Sequence, residues 1–402
     1  MYVKGNAIIG QSGGPTSVIN SSLAGVIEGA LKSANIEKVL GMNYGIEGFM
    51  EERLIDLSGQ SRKVLDGLRT TPSSALGSSR HKVKDEDFPK ILSLLKKYNI
   101  RYFFLIGGND TMDTVNRVEA YCRTQNYELV GVGIPKTVDN DLFGTDHTPG
   151  FASAARSNIL NVMQAGVLAR DMQRVDKFVV YQTIGRDAGW LAAATALAKR
   201  HPDDAPHLIY MPETKFDADQ FLADVKKVVD RIGWVSIVCG EGLHYADGTS
   251  VSASKVKDKF NNTEFGAMGG ASVGLNLHAM IRETYGWRGE FQITESLIMS
   301  DFVRAEEQDL DEAFQCGLEA VKLADQGVSG YMVTMERASN TPYKIGFGKA
   351  LLKDVAVKAK PMPRDFINPE GNFPTEKFLD YCRPLISGLP EFVQLEKTFF
   401  KV

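Results

Sequence analysis

Short apolar runs alternate with longer amphipathic segments along most of this 402-residue chain. Seven apolar runs have the length and the flanking turn residues of buried strands. The predicted strands are Ala7–Gly10, Val39–Met42, Tyr102–Ile106, Leu129–Ile134, Phe178–Thr183, Leu208–Met211 and Val235–Cys239. Between the runs, apolar residues recur at helical spacing. The predicted helices are Thr16–Leu31, Phe88–Tyr98, Thr111–Arg123, Phe151–Ala169, Ala188–Lys199 and Ala218–Ile232.

This alternation is typical of an α/β protein with mostly parallel sheets that helices cover on both faces. One set of elements precedes about residue 150 and another follows it, so we expect two lobes. Gly144–Gly150 is the predicted crossing between them. The seven prolines from Pro342 to Pro390 predict an irregular C-terminal segment packed on the surface.

Composition narrows the class of protein. A hydrophobic fraction of 43% provides enough material for real cores, and a net charge of −4 argues against a nucleic-acid partner or a basic membrane contact. No apolar stretch reaches the roughly 20 residues of a membrane span. The four cysteines lack the paired spacing of zinc sites, so we expect reduced thiols in a cytoplasmic protein.

Two of the predicted strands run into clusters of polar residues. Tyr102–Ile106 leads into Gly107–Thr111, and Leu129–Ile134 leads into Pro135–Asp141, which we call the acidic loop. Because ligands bind open parallel sheets at the carboxyl ends of the strands, these residues predict a phosphoryl-transfer site. An N-cap at Asp110 and a solvated acidic turn are the alternatives.

In an extended acidic loop, Thr137, Asp139 and Asp141 would alternate onto one side. Two carboxylates so close are costly unless a cation or a proton lies between them. One carboxylate would then act as a general base on a hydroxyl while the other helps to hold Mg²⁺. Lys136 adds a cation suited to a phosphate oxygen.

Other loops add candidates for anion binding. Gly13 and Gly14 follow the first strand and precede a predicted helix, where backbone amides can approach an anion. A plain tight turn explains them equally well. Arg80, on a glycine- and serine-rich loop, is either a phosphate clamp or a surface arginine. Arg186 precedes a helix, and Glu241 is either an acceptor for sugar hydroxyls or a turn acid.

Taken in order, these motifs resemble the phosphofructokinase family, and specifically its pyrophosphate-dependent branch. The resemblance covers about residues 5 to 335. It rests on Gly13-Gly14, Gly77–Arg80, Gly107–Thr111, Pro135–Asp141, Gly185-Arg186 and Glu241.

The resemblance implies two Rossmann-like lobes with the active site in the cleft between them. Residues 1–150, completed by about 297–352, would bind the donor. Residues 151–296, completed by 353–402, would bind the sugar phosphate.

The resemblance also implies roles. Asp139 would be the catalytic base, Thr137 would hold the sugar phosphate near the transferred group, and Arg80 would stabilise the migrating phosphoryl group. Asp141, with Asp110, would bind Mg²⁺. The donor site would comprise Gly13, Gly14, Arg80, Asp110, Thr111 and Lys136. The sugar-phosphate site would comprise Thr137, Asp139, Lys177, Gly185, Arg186, Glu241, Arg288 and Arg304, with Lys177 reaching across from a neighbouring subunit.

Two positions indicate the donor. ATP-using members of the family have glycine where this chain has Asp110 and Lys136. A carboxylate there would crowd and repel the α-phosphate of a nucleotide, whereas a lysine would neutralise the terminal charge of pyrophosphate. We therefore expect pyrophosphate, with ATP dependence on the same fold as the nearest alternative.

The chain departs from the family pattern in two places. Asn109 replaces an aspartate, which removes a charge near the metal. The segment Gly289–Arg304 lacks the family's sugar-phosphate motif, so Arg288 and Arg304 are the nearest basic candidates, and sedoheptulose 7-phosphate is an alternative acceptor.

The expected function is a cytoplasmic, Mg²⁺-dependent enzyme. It would transfer phosphoryl reversibly from pyrophosphate to the 1-hydroxyl of fructose 6-phosphate and release phosphate. If Lys177 serves a neighbour, the enzyme is a homodimer or homotetramer. A non-catalytic regulatory subunit is the alternative from another class.

Overall fold

The structure is a computed structural model that describes residues 3–79, 81–252, 272–395 and 400. Its strands are β1 (Gly5–Gln11), β2 (Ile36–Met42), β3 (Leu54–Asp56), β4 (Ile100–Gly107), β5 (Val130–Pro135), β6 (Phe178–Thr183), β7 (Leu208–Tyr210), β8 (Val235–Gly240), β9 (Gly289–Ile293), β10 (Tyr331–Asn340) and β11 (Tyr343–Leu351). Its α-helices are α1 (Ile19–Lys32), α2 (Gly45–Met50), α3 (Arg62–Leu68), α4 (Phe88–Lys97), α5 (Asn109–Thr124), α6 (Phe151–Asp171), α7 (Trp190–Ala194), α8 (Ala218–Ile232), α9 (Val273–Tyr285), α10 (Glu307–Asp325), α11 (Leu352–Val355) and α12 (Glu376–Cys382).

The first sheet has the strand order β11-β10-β5-β4-β1-β2-β3. Pairing is parallel from β2 through β1, β4 and β5 to β10, while β3 and β11 add antiparallel edges. Its centre is almost wholly apolar: Ile8 and Ile9 of β1 and Phe103 and Phe104 of β4 are all 0% exposed. Because β1, β4 and β5 are parallel neighbours, the loops after them meet at one edge.

The second sheet is parallel throughout, in the order β7-β8-β6-β9. The long helix α6 connects the first sheet to it. No helix in the described ranges is both long and apolar enough to cross a bilayer. The predicted fold class, α/β with two mostly parallel sheets, is confirmed.

All seven predicted strands are present, with ends that differ by at most three residues from those expected. The predicted helices are present too, although Ala188–Lys199 divides into α7 and a 3₁₀ turn at Thr195–Ala198. Helix α1 begins at Ile19, several residues after Gly14. The loop at Gly13 and Gly14, rather than the first turn of α1, therefore lines the cleft described below.

The prediction of an irregular C-terminal segment on the surface was wrong for much of its length, although residues 386–395 do form neither helix nor strand. Pro342 lies in the turn of the β10–β11 hairpin, which joins the first sheet, so its missing N–H interrupts no strand pairing. Further on, Phe378, Cys382 and Leu385 are buried in the apolar core of the second lobe beside Trp190. The predicted boundaries of the two lobes remain a prediction.

Candidate active site

A cleft of about 560 Å³ opens at the carboxyl ends of β1, β4 and β5, opposite the loop after β6. It brings together most of the residues singled out from the sequence. The predicted site residues that line it are Gly13, Gly14, Asp110, Thr111, Lys136, Thr137, Asp139, Asp141 and Arg186. Arg80 lies outside the described residues, so its predicted roles remain predictions.

Gly13 is where the glycine loop approaches the acidic loop. Its φ of +78° lies in the left-handed region, and a Cβ built on it would be only 2.9 Å from Lys136 Nζ. On its other side Gly13 contacts the loop that contains Ser78, because Ser78 Oγ donates to the Gly13 carbonyl at 2.6 Å. Glycine at this position therefore leaves room for the lysine ammonium over the loop.

Lys136 is a buried cation at the centre of the cleft, with only 4% of the residue exposed. Its backbone N–H donates to the Gly107 carbonyl at 3.1 Å, which joins the acidic loop to the loop after β4. Its positive charge acts to lower the pKa of both Asp139 and Asp141. Lys136 thus offsets part of the negative charge of the acidic loop.

Asp139 has the properties of a general base. Burial, followed by the negative charges of Asp141 and Glu241, raises the pKa of Asp139 to about 7, although Arg186 and Lys136 act in the opposite direction. A carboxyl group with this pKa can take a proton from a hydroxyl and release it near neutral pH. The Asp139 N–H donates to Thr137 Oγ1 at 3.1 Å, which closes a tight turn at the start of the loop.

Asp141 has a raised pKa as well. Burial is the main cause, and the nearby charge of Asp187 adds to it, whereas Lys360 and Lys136 oppose it. Asp139, Asp141 and Asp187 all line the same cleft. A bound cation would relieve the mutual repulsion of carboxylates that lie so close together.

The residues present suit a hard divalent cation. Within the described residues, no group of three or more His, Cys, Asp or Glu side chains is arranged to hold a metal ion. Mg²⁺ commonly binds through one or two carboxylates together with water and substrate phosphates, so it needs no such cage. The carboxylate of Asp141 and the neighbouring oxygens of Asp139 and Thr137 provide suitable donors.

The second lobe completes the cleft near Asp139. Gly185 has a φ of +119°, and a Cβ built on it would lie 3.9 Å from Asp139 Oδ1 and 2.7 Å from the Ala188 carbonyl oxygen. The Gly185 N–H donates to Glu241 Oε1 at 3.2 Å, and burial raises the pKa of Glu241. The glycine allows the loop after β6 to approach Asp139 closely.

Asp110 lies on the rim of the cleft, in the first turn of α5. Its side chain is 76% exposed and its Oδ2 is 3.1 Å from Lys82 Nζ. Its role as a metal ligand therefore remains a prediction. The neighbouring Asn109 donates from Nδ2 to the carbonyls of Val355 and Lys358, at 3.0 and 3.2 Å. An aspartate cannot make these two donations, which gives a local reason for the amide.

Three basic residues predicted for the sugar phosphate lie away from this cleft. Lys177 and Arg288 immediately precede β6 and β9, at the amino edge of the second sheet, and Arg288 Nε pairs with Asp176 at 3.0 Å. Arg304 lies against α6, where its guanidinium bonds to Asn161. The structure therefore does not bring these residues into the cleft of their own chain.

Lys360 is a further contributor to the site that no sequence motif indicated. Its Nζ donates to Asn140 Oδ1 at 3.1 Å and to the carbonyls of Asp146 and Thr145 at 2.7 and 3.3 Å. Burial lowers the pKa of Lys360 to about 7, yet these three acceptors match the three N–H groups of an ammonium. It lies 220 residues from Asn140 along the chain, so no local motif connects the two.

Known proteins resemble this chain over nearly its whole length. Residues 6–280 match the family model described as Phosphofructokinase. The chain is similar to the pyrophosphate–fructose 6-phosphate 1-phosphotransferase of Xanthomonas campestris pv. campestris (strain B100), with 37% identity over 98% of this chain and 97% of the relative. The Rhodospirillum rubrum protein of the same name is 38% identical over 98% and 97%.

A crystal structure described as a pyrophosphate-dependent phosphofructokinase from Nitrosospira multiformis has the same fold. Its TM-score is 0.87 at 34% identity, and the match covers 98% of this chain and 94% of that one.

Proposed function

This chain belongs to the phosphofructokinase family, and we propose that it is a pyrophosphate-dependent 6-phosphofructokinase. The reaction transfers a phosphoryl group from pyrophosphate to the 1-hydroxyl of fructose 6-phosphate and releases phosphate. It runs in both directions.

The proposal rests chiefly on Lys136. In ATP-using members a glycine occupies this position, whereas here a buried ammonium lies over Gly13, and its charge acts to lower the pKa of Asp139 and Asp141. A compact, highly charged donor such as pyrophosphate gains from a fixed cation at this place. The names of the full-length relatives and of the matching crystal structure agree with this donor.

Asp139 acts as the base in the forward direction. It takes the proton of the sugar 1-hydroxyl while that oxygen attacks a phosphorus of pyrophosphate, and the bond to the leaving phosphate breaks. Its pKa of about 7 suits the uptake of this proton and, in the reverse direction, its return. Lys136, with Arg80, stabilises the negative charge that moves between donor and acceptor.

The two lobes divide the binding. Gly13, Gly14 and Thr111 bind the donor, while Gly185, Arg186 and Glu241 bind the sugar from the opposite wall. Thr137 Oγ1 already accepts from the Asp139 N–H, which leaves its own hydroxyl proton to be donated to the transferred group. Positioning of this kind accounts for most of the catalysis of phosphoryl transfer.

Enzymes of this family generally need a divalent metal ion, and we propose Mg²⁺, bound by Asp141 and the donor phosphates, with Asp110 as a further ligand. When bound, the ion would neutralise charge on the pyrophosphate oxygens. It would also explain why the acidic loop keeps two carboxylates in one buried place.

The proposal includes a symmetric dimer or tetramer in which Lys177 reaches the sugar site of a neighbour. Shortly after the edge strand β9 along the chain, three large apolar side chains are exposed: Leu297 and Val303 are each 77% exposed and Phe302 is 61% exposed. Exposed apolar patches mark interaction surfaces. A cytoplasmic location is supported by the four cysteines, which are all buried free thiols.

Replacing the base tests the proposal. With Mg²⁺, pyrophosphate and fructose 6-phosphate, a coupled assay of the purified protein should detect fructose 1,6-bisphosphate, and Asp139→Asn should reduce kcat by about 100- to 10,000-fold. The matched control is Asp113→Asn, which makes the same change at another acid of the cleft. An active Asp139→Asn, or a parent protein without turnover, would refute the assignment.

A further inference from the structure

We propose that Lys360 and Tyr381 are positioning residues that hold the acidic loop in its reactive conformation by binding the side chain of Asn140. This inference rests on the proposed function, because the two residues would act through the base and the metal-binding carboxylate of that reaction.

Asn140 lies between the two reactive carboxylates in the chain and is completely buried. Its φ of +57° places it in the left-handed region, which asparagine tolerates better than most residues. Its Nδ2 donates to Tyr381 Oη at 2.9 Å, and its Oδ1 accepts from Lys360 Nζ at 3.1 Å. Both ends of the amide are thus bound by residues of the C-terminal segment.

The same two residues also bind the far end of the turn that follows. Lys360 Nζ and Tyr381 Oη both donate to the Asp146 carbonyl, at 2.7 and 2.9 Å. The four hydrogen bonds form a closed ring through Asn140, Lys360, Asp146 and Tyr381. The Lys360 N–H donates to the Asp141 carbonyl at 2.7 Å, so the C-terminal segment also holds the backbone of the acidic loop.

Neighbouring side chains hold Lys360 and Tyr381, the two C-terminal members of this hydrogen-bonded ring, in place. The Tyr381 ring lies 5.4 Å from the Trp190 ring and 4.6 Å from the Arg337 guanidinium carbon. Lys360 Nζ lies 4.8 Å from the Trp190 ring, whose Nε1 donates to the Lys360 carbonyl at 3.3 Å. The hydrogen-bonded ring is therefore supported by Trp190 from the second lobe and by Arg337 from the first.

This arrangement matters for chemistry because Asn140 sets the direction of its neighbours. A change in its left-handed backbone would turn both Asp139 and Asp141 relative to the cleft. Displacing a reacting group by about 1 Å costs about 100-fold in rate, whereas substrate contacts made by other residues persist. Loss of the ring should therefore lower kcat and leave KM nearly unchanged.

Three variants remove the ring. Lys360→Met keeps the aliphatic stem, Tyr381→Phe removes a single oxygen, and Asn140→Gly keeps the permitted backbone while deleting the amide. We expect each to lower kcat by about 10- to 100-fold with KM for both substrates within about 2-fold. Because both C-terminal residues act through Asn140, the double variant Lys360→Met/Tyr381→Phe should lose much less than the product of the two single effects.

Matched controls exist elsewhere in the chain. Lys199 Nζ donates to the Asp204 carbonyl at 2.7 Å, and burial lowers its pKa as it does for Lys360. Tyr285 Oη donates to the Leu222 carbonyl at 3.0 Å. Neither residue lines the cleft. Lys199→Met and Tyr285→Phe should therefore leave kcat unchanged, which separates positioning from a general loss of stability.

Several results would overturn the inference: a kcat for Tyr381→Phe within about 2-fold of the parent, an equal loss in the control variants, or a raised KM at unchanged kcat. If Lys360→Met does not fold, Tyr381→Phe and Asn140→Gly decide the question.

If the parent enzyme uses ATP, the proposed donor is wrong but the positioning role is not. The same variants, measured with ATP as the donor, would then test the hydrogen-bonded ring. Crystal structures of the parent and of Tyr381→Phe give a readout that needs no turnover. We expect the Asp139 carboxylate to shift in the variant, and an unchanged loop would contradict the inference.

Discussion

His147 joins the turn after the acidic loop to the rest of the first lobe, and replacing it should lower the stability of the protein. The side chain is 0% exposed and lies between two carboxylates, with Nδ1 2.8 Å from Asp146 Oδ2 and Nε2 2.7 Å from Glu312 Oε2. Burial alone would lower the pKa of His147, but the two hydrogen bonds and the two negative charges raise it above 6.5.

The cost of removing this side chain follows from its partners. Each hydrogen bond to a charged group contributes about 1.5–3 kcal/mol, and His147 makes two. Asp146 would keep Arg337, and Glu312 would keep Tyr343 and Gln308, so neither carboxylate would lose every partner. Since Glu312 would lose its ion pair with the buried imidazole of His147, we expect His147→Gln to lower the free energy of unfolding by about 3–5 kcal/mol.

The pH dependence has a definite sign. A histidine with a raised native pKa contributes its full stabilisation below about pH 6.5 and loses it as the pH rises through the native value. The difference in stability between the parent and His147→Gln should therefore be largest near pH 6 and smaller near pH 9. Urea or thermal unfolding of both proteins across this range measures it.

His207 is the matched control. It is also buried, but burial, together with the nearby Lys199 charge, lowers its pKa to about 4, and its Nδ1 accepts from the Ser236 N–H at 2.8 Å. Its contribution should have the opposite dependence: present above about pH 6.5 and lost as the pH falls toward 4. A His147→Gln effect below about 1 kcal/mol, or one that grows with pH like that of His207→Gln, would show that His147 does not stabilise the protein through its two ion pairs.

Two further predictions concern the donor and the neighbouring subunit. The double variant Asp110→Gly/Lys136→Gly should lose activity with pyrophosphate and gain activity with ATP in the coupled assay, because the repelling carboxylate and the compensating cation are both removed. Asp113→Gly is the control, and an unchanged donor preference in the double variant would contradict the assignment. Lys177→Ala and Asp139→Asn should each be nearly inactive alone. After unfolding and refolding together they should recover about a quarter of the parent activity, as expected for random mixing of sites shared between subunits; no recovery would argue against a residue supplied by a neighbour.

Much of the site was predictable because it depends on local order and on one rule of topology. Gly107–Thr111 and Pro135–Asp141 each follow an apolar run, and parallel strands bring the loops after them to one edge. The residues of the donor site could therefore be predicted from the strand pattern alone. Gly185 and Glu241 follow the same rule on the second sheet, where a hydrogen bond joins them.

The remaining features depend on packing between distant segments. Lys360 reaches Asn140 only because the C-terminal segment returns to pair Ala359 with Leu142, and a proline-rich stretch gives no periodic signal of this. Likewise, Arg288 precedes a short edge strand, β9, that alternates weakly and was not predicted. Its distance from the cleft could not be inferred from its charge.

The donor preference of the purified protein tests the proposed function most directly. With Mg²⁺ and fructose 6-phosphate held constant, kcat/KM should be measured for pyrophosphate and for ATP in the same coupled assay. We expect turnover with pyrophosphate and a kcat/KM for ATP lower by at least about 100-fold, since Asp110 would repel a nucleotide and Lys136 would favour pyrophosphate. A kcat/KM for ATP equal to or above that for pyrophosphate would show that the enzyme is not pyrophosphate-dependent.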